Sequence, residues 1–241
     1  MNLSAQKTVR ELALENFAAT RIFEELGIDY CCGGNRPLEE ACRAANLNPD
    51  QVLDSLEMAL NARRAASADR NWQTEPLSDL IEHIKATHHK STRDAIARIP
   101  PLLDKVCSAH GKNHPELIHV RGVFRGLAQE LTTHMLKEEI VLFPYITRME
   151  DATIAKEPLL PAPFGSVQNP VTMMEHEHDS AGTALRAMKT ASAGYVPPPD
   201  ACVSYQTLYR ALTEFERDLH QHIHLENNVL FPRAVAIERA F

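Results

Sequence analysis

Three stretches of the chain place apolar residues in alternating steps of four and three, the spacing of one helical face. One runs Val120, Phe124, Leu127, Leu131, His134, Glu138, Val141. Another runs Leu208, Leu212, Phe215, Leu219, His222, Glu226, Val229. Between them lies Val171, Met174, His178, Ala181, Leu185, Met188. A fourth apolar face, Leu77, Leu80, Ile81 and Ile84, leads into His88 and His89. These patterns predict helices over about 76–99, 115–150, 170–191 and 201–240. Pro100-Pro101 should end or kink the first, with a shorter stretch over 102–110 beyond. A Pro-rich loop at 156–170 and Tyr195-Val196-Pro197-Pro198-Pro199 separate the later helices. The expectation is an all-α fold built on an antiparallel four-helix bundle over residues 76–241.

Residues 1–66 read differently, as a small helical N-terminal domain. Val9, Leu12 and Ala13 begin one short helix. Phe17 to Leu26 makes a second, closed by Gly27. Residues 28–34 form a turn. Pro37 opens a helix to about Asn46, and Pro49 opens another with Val52, Leu53, Leu56 and Leu60 on one side. A polar stretch over 67–75 reads as the linker.

The seams contain residues that an apolar core should reject. His134 and Glu138, and again His222 and Glu226, stand four apart and so share one helix face. The two segments repeat each other: each His-x-x-x-Glu is followed by Val-Leu-Phe-Pro, at a constant offset of 88 residues. An internal duplication implies two equivalent ligand pairs about a pseudo-two-fold axis. His178 adds a seam histidine. On the first helix the apolar face points slightly closer to His88. The repeat spacing leans narrowly to His89, since His178 precedes His222 by 44 residues and His89 precedes His134 by 45.

A lone seam histidine is more often a hydrogen-bonded core residue than a ligand. Two carboxylates among four histidines are a different matter. A buried carboxylate must be neutral, paired or metal-bound, and no Lys or Arg stands on the seams of the last three helices. All-N/O ligation argues against structural zinc and suits iron or manganese, the imidazoles favouring iron. Two six-coordinate ions offer about twelve positions. Four histidines, two bridging glutamates and an oxo or hydroxo bridge leave about two open for a small ligand.

Composition narrows the class. Hydrophobic residues make up 44% of 241, which permits a sizeable core, while nine glycines and 6% aromatics argue against an all-β fold. Net charge is −7, with no basic stripe for nucleic acid. No apolar run reaches the roughly 20 residues of a membrane span. Met1 to Arg10 lacks a secretory apolar region, so a cytoplasmic location is expected. Five cysteines, two of them adjacent, do not make a disulfide framework. Cys31 and Cys32, beside Gly33-Gly34, could act in redox chemistry or pass iron; the plain alternative is a small buried hydrophobe and its neighbour. Cys42, Cys107 and Cys202 read as ordinary. Glu130 and Glu177 lie near ligand histidines and could hold a histidine's second nitrogen or carry protons, against the plainer reading of solvated helix charges. His83, His110, His114, His119, His176, His220 and His224 fall off the seams and read as surface residues.

With these residues in view, the bundle resembles the hemerythrin-like domain. The whole chain resembles the YtfE/ScdA family of di-iron proteins for repair of iron centres. Asp29-Tyr30-Cys31-Cys32-Gly33-Gly34 is similar to that family's N-terminal signature. Glu175-His176-Glu177-His178-Asp179 and Leu225-Glu226-Asn227-Asn228-Val229-Leu230-Phe231-Pro232 are similar to its bundle motifs. The resemblance implies six ligands, His89, His134, Glu138, His178, His222 and Glu226, with both glutamates bridging two non-haem irons, and it decides for His89. Classical oxygen-carrying hemerythrins have a fifth histidine and an aspartate instead. The implied function is repair of iron–sulfur clusters damaged by nitric oxide or peroxide. Iron donation to damaged or apo iron–sulfur proteins and reduction of nitric oxide to nitrous oxide are both compatible with it. An oxygen- or nitric-oxide-binding sensor is the alternative. No nucleic acid or membrane partner is expected, and a homodimer is compatible with the chain.

Overall fold

The computed structural model describes residues 3–15, 17–64 and 70–241, with backbone alone at 17, 18 and 59–64. It is an all-α protein: among the described residues no strand occurs, only the isolated bridges Thr8–Pro37 and Ala162–Gly165. The chain divides into two compact units. One takes in the chain to Pro76 together with Ile223–Arg233; the other takes in Leu77–His222 and Ala234–Phe241.

The first unit contains four short helices, α1 (Val9–Glu15), α2 (Phe17–Leu26), α3 (Leu38–Ala44) and α4 (Pro49–Arg64). Val9, Leu12, Phe23, Ile28, Tyr30, Leu38, Cys42, Val52 and Leu56 form its core. The side chain of Leu60 lies outside the described residues. Gly27 ends α2 as expected. At φ +69 it turns the chain so that its N–H donates to Glu24 O and the Ile28 N–H to Phe23 O at 2.8 Å. This double bond satisfies carbonyls that the last helical turn leaves open. At the start of α4 the Asn48 side-chain oxygen accepts from the Asp50 N–H at 2.9 Å, and Pro49 loses no bond at that position.

The second unit is a bundle of four long helices. The first comprises α5 (Leu77–His83), a π-helical turn over Ile84–His89 and α6 (Lys90–His110). The second comprises α7 (Glu116–Lys137), a π turn over Glu138–Leu142 and α8 (Phe143–Ala155). The third is α9 (Gln168–Ala191). The fourth comprises α10 (Val203–Leu225), a π turn over Glu226–Leu230 and α11 (Phe231–Glu238), part of it in the first unit. Glutamates tie helix ends together. Glu150 on α8 accepts from the N–H groups of Leu77 and Ser78 at 2.6 and 2.8 Å. Glu238 accepts from Val167 N, Ser166 Oγ and Tyr145 OH. Each puts a carboxylate on the donors of a helix start, where the helix dipole favours negative charge.

Three expectations need correction. Of the end or kink expected at Pro100-Pro101, the end does not occur: α6 runs through both. The carbonyls that lose donors, Ile96 and Ala97, lie on half-buried and exposed positions, and buried Ile99, Leu103 and Val106 carry the helix across. Val141 leaves the seam and is exposed, while Leu142 and Phe143 are buried, because the π turn inserts a residue and slips the seam by one. His224 is not a surface residue. It is 2% exposed, in edge contact with the Tyr30 ring at 5.3 Å and 2.9 Å from the Asn228 amide. The steps of four and three described one face of that helix; His224 lies on another, packed on Tyr30 within the first unit.

Burial pushes the His224 pKa down from 6.5 to about 4. The folded imidazole stays neutral where the unfolded one takes a proton, so stability is lost as pH falls from 6.5 toward 4. By pH 5 that loss should reach ~2 kcal/mol. Urea denaturation of the full chain at pH 7 and pH 5 should show it, and His224→Gln should lose about that much less over the same interval.

Candidate metal centre

The buried polar residues of the second unit gather where the π turns lie. His89 ends the first π turn and Glu138 begins the second, one turn after His134 on α7. His178 comes from the middle of α9, and His222 from the last turn of α10. All five are between 0% and 2% exposed. A π turn widens the helix by one residue per turn and turns out side chains that an α-helix would stagger. At Ile84–His89 this brings both His88 and His89 into the interior. That is why the seam could not choose between them.

Their chemistry differs. His88 Nδ1 lies 3.0 Å from Asp218 Oδ1, and its ring stacks on His222 at 5.8 Å. His89 turns inward. Its Nε2 lies 3.3 Å from Glu138 Oε2, while His134 Nε2 lies 3.4 Å from the other oxygen, Oε1. Glu138 therefore offers one carboxylate oxygen to each of two histidine groups. The ligand atoms of His89, Glu138 and His222 all fall within 4.8 Å of one another, as do those of His134, Glu138 and His178. His178 Nε2 stands 3.0 Å from His134 Nε2.

These spacings suit metal coordination. With metal–nitrogen and metal–oxygen bonds of about 2.0–2.2 Å, neighbouring donors stand about 3.0–3.5 Å apart. Imidazole with carboxylate, and no thiolate, is a donor set for iron or manganese. A fully buried carboxylate among histidines also calls for compensating positive charge, which a bound cation would supply. Glu226 lies one turn beyond His222 on the same unbroken helix and is fully buried.

Outer partners hold the imidazoles. His89 Nδ1 is 2.6 Å from Glu139 Oε1, which also accepts from Arg93 at 2.6 Å. His134 Nδ1 is 2.8 Å from Glu177 Oε2, and Lys137 bonds the other oxygen of Glu177. Partial burial pushes both carboxyls up, but the bonds from His89 and Arg93, and from Lys137 and His134, outweigh it and leave each below the ordinary carboxylate range. Both stay ionised, so each holds its histidine with Nδ1–H outward and the Nε2 lone pair inward. Glu177 thus sits where the sequence suggested. Glu130 is exposed and accepts instead from Ser180 at 3.4 Å. Glu139 was missed, because a glutamate beside a seam glutamate reads as a solvated charge. An open groove of about 590 Å³ between α7 and α9, lined by Glu130, Lys137, Glu177 and Ser180, reaches His134 and His178.

Cys31 and Cys32 lie in the first unit, on the turn between α2 and α3. All five cysteines are free thiols. Cys31 is buried and Cys32 half-buried; the bond to Cys32, followed by burial, pushes the Cys31 thiol up. Cys202 is less ordinary than it read. It precedes α10, exposed, 3.1 Å from His110 Nε2, and the Tyr205 N–H followed by His110 lowers its pKa.

Comparison with known proteins agrees with both halves. Residues 5–60 match the ScdA N-terminal domain, a domain of unknown function, and residues 79–234 match the hemerythrin HHE cation-binding domain. A probable iron–sulfur cluster repair protein of Haemophilus influenzae is 36% identical over 96% of this chain and 97% of its own length. The iron–sulfur cluster repair protein YtfE of Pectobacterium carotovorum is 36% identical over 95% and 96%. That of Yersinia pseudotuberculosis is 34% identical over 93% and 94%. This chain belongs to the YtfE family of iron–sulfur cluster repair proteins, with a ScdA N-terminal domain ahead of a hemerythrin HHE cation-binding domain.

Proposed function

We propose that this protein holds two iron ions in its bundle and serves the repair of iron–sulfur clusters damaged by nitrosative or oxidative stress. The observation that carries this is Glu138, fully buried, with one oxygen toward His89 and the other toward His134. The names of the relatives carry the cellular role. His89 and His222 would hold one ion, and His134 and His178 the other. Glu138 and Glu226 would be shared between them. Glu226 is assigned from the duplication: it stands to His222 as Glu138 stands to His134, and it too begins a π turn. Bound iron would supply redox chemistry and open positions for a small ligand such as nitric oxide or oxygen.

The chain's own groups have separable tasks. Glu139 and Glu177 keep the Nε2 atoms of His89 and His134 unprotonated and aimed inward. The buried apolar seam excludes bulk water. The groove beside His134 and His178 gives one ligand group a path to solvent, edged by carboxylates that attract a leaving cation. This favours iron donation to damaged or apo iron–sulfur proteins over retention of a fixed cofactor. No described helix is long and apolar enough to cross a membrane.

Metal analysis of anaerobically purified protein should find two irons per chain. His89→Ala and Glu138→Gln should each bring this to one or fewer, while His88→Ala keeps both; retention of two irons in Glu138→Gln would sink the assignment. Glu139→Gln and Glu177→Gln should weaken metal binding by about 10–100-fold without unfolding the bundle, measured by competition with a chelator.

The functional test uses an iron–sulfur dehydratase inactivated by nitric oxide. Ferrous-loaded protein should restore its activity with loss of iron from the repair protein, and Glu138→Gln should not. Equal recovery with metal-free protein would refute the reading. Evolution of nitrous oxide without iron transfer would favour nitric oxide reduction instead.

A further inference from the structure

The Asp29–Gly34 turn has a geometry that its two thiols alone do not explain. Asp29 Oδ1 accepts from the backbone N–H groups of Cys31 and Cys32, at 3.2 and 3.0 Å. These bonds fold both cysteines back over the carboxylate. Cys31 Sγ then lies 3.4 Å from Oδ1 and 3.8 Å from Cys32 Sγ. One ligand atom from each of the three residues falls within 4.8 Å of the others. Two thiolates on one tetrahedral ion, with metal–sulfur bonds of about 2.3 Å, stand about 3.8 Å apart. A carboxylate oxygen on the same ion would lie about 3.6 Å from each sulfur.

Gly34 is needed for this closure, while at Gly33 the crowding falls on side-chain ends. A Cβ on Gly33 would stand 2.8 Å from the Arg36 guanidinium and 3.1 Å from Asp29 Oδ2. On Gly34 it would stand 2.7 Å from the Tyr30 carbonyl. The far side of the turn is braced within the same unit. The Asn228 amide donates to Tyr30 O at 3.2 Å, the Gly34 carbonyl accepts from Arg10 N at 2.7 Å, and the Arg10 guanidinium donates to Asn228 O. Tyr30 itself is sunk in the core. Asp29 and Cys32 remain half-buried, so one side of the three donors is open to solvent.

We infer that Asp29, Cys31 and Cys32 form a second metal site, of two sulfurs and one oxygen, that takes a single thiophilic divalent cation such as ferrous iron with its fourth position open. Entry of the ion displaces the two thiol protons to solvent, with no change of oxidation state. An open position and an exposed rim suit an ion that is passed on. In a protein that handles iron, the site would be a point of transfer. The binding itself does not depend on the bundle centre or on the repair reading.

Cobalt(II) is the probe, because a cobalt–thiolate bond gives an intense charge-transfer absorption that imidazole and carboxylate ligation does not. The full chain is used reduced and metal-free, as Cys202→Ser so that the exposed thiol beside His110 contributes nothing. At saturation the band should reach the intensity of one two-thiolate cobalt per chain, whatever the bundle takes up. It should vanish in Cys32→Ser, a near-isosteric change at a half-buried position. Asp29→Asn keeps the backbone acceptor and should weaken binding about tenfold or more. Glu138→Gln, which removes a bundle ligand, should leave the band unchanged, so failure here and failure of the bundle centre are told apart. Absence of the band in the parent protein, or its survival in Cys32→Ser with unchanged circular dichroism, would overturn the assignment.

Discussion

The structure turns on one burial, that of the Glu138 carboxylate among histidines. A carboxylate taken out of water costs several kcal/mol even after the protein relaxes around it. It stays only where compensating positive charge is guaranteed. His89 and His134 face its two oxygens. Without metal, protons on imidazole would have to supply that charge. A bound cation would supply it instead and leave the imidazoles as neutral donors. The pattern of donors is the one that metal requires: inward Nε2 atoms, with the Nδ1 atoms of His89 and His134 already engaged by carboxylates.

The π turns belong to the same problem. Three helices contain one, and each begins or ends at a proposed ligand: His89, Glu138 and Glu226. An α-helix places neighbours four apart on one face but slightly out of line. Side chains that meet around one ion also need room. The inserted residue gives room directly after Glu138 and Glu226, at the expense of less favourable backbone bonds, and buried Leu142 and Leu230 at the ends of those turns, with Phe143 and Phe231 directly after them, hold the backbone in place. The same insertion throws Val141 out to solvent.

Much of this was legible in the chain because apolar spacing is set by helix geometry over many residues. The four long helices, the seam histidines and the duplicated His-x-x-x-Glu motifs all follow from it. The misses share a cause: each depended on a local event that averaged periodicity does not register. The π turn at Ile84–His89 left His88 and His89 equivalent on paper and both buried in space. Pro100-Pro101 looked like a breaker, since the apolar contacts of Ile99 and Leu103 that outweigh two lost backbone bonds come from other helices. His224 lay off the seam but is buried against Tyr30 and Asn228 within the first unit. Glu139 could not be told from a surface charge, because its role exists only through His89 and Arg93.

That last pairing bears on how tightly metal would be held. A carboxylate on the outer nitrogen of a ligand histidine makes the inner nitrogen more basic and strengthens the metal bond. Here neither carboxylate is given over to its histidine alone. Glu139 is shared with Arg93, and Glu177 with Lys137. The cation draws charge away from the imidazole, so the histidine is oriented without being pushed toward imidazolate. Orientation and donor strength are thereby separated: the site is shaped in advance, yet the bonds of His89 and His134 to a metal would be weaker than an undivided carboxylate would make them. The Lys137–Glu177 pair also lines the groove that reaches His134 and His178. At His134, tempered ligation and the path to solvent thus fall on the same side of the centre, the arrangement that the proposed donation of iron would call for.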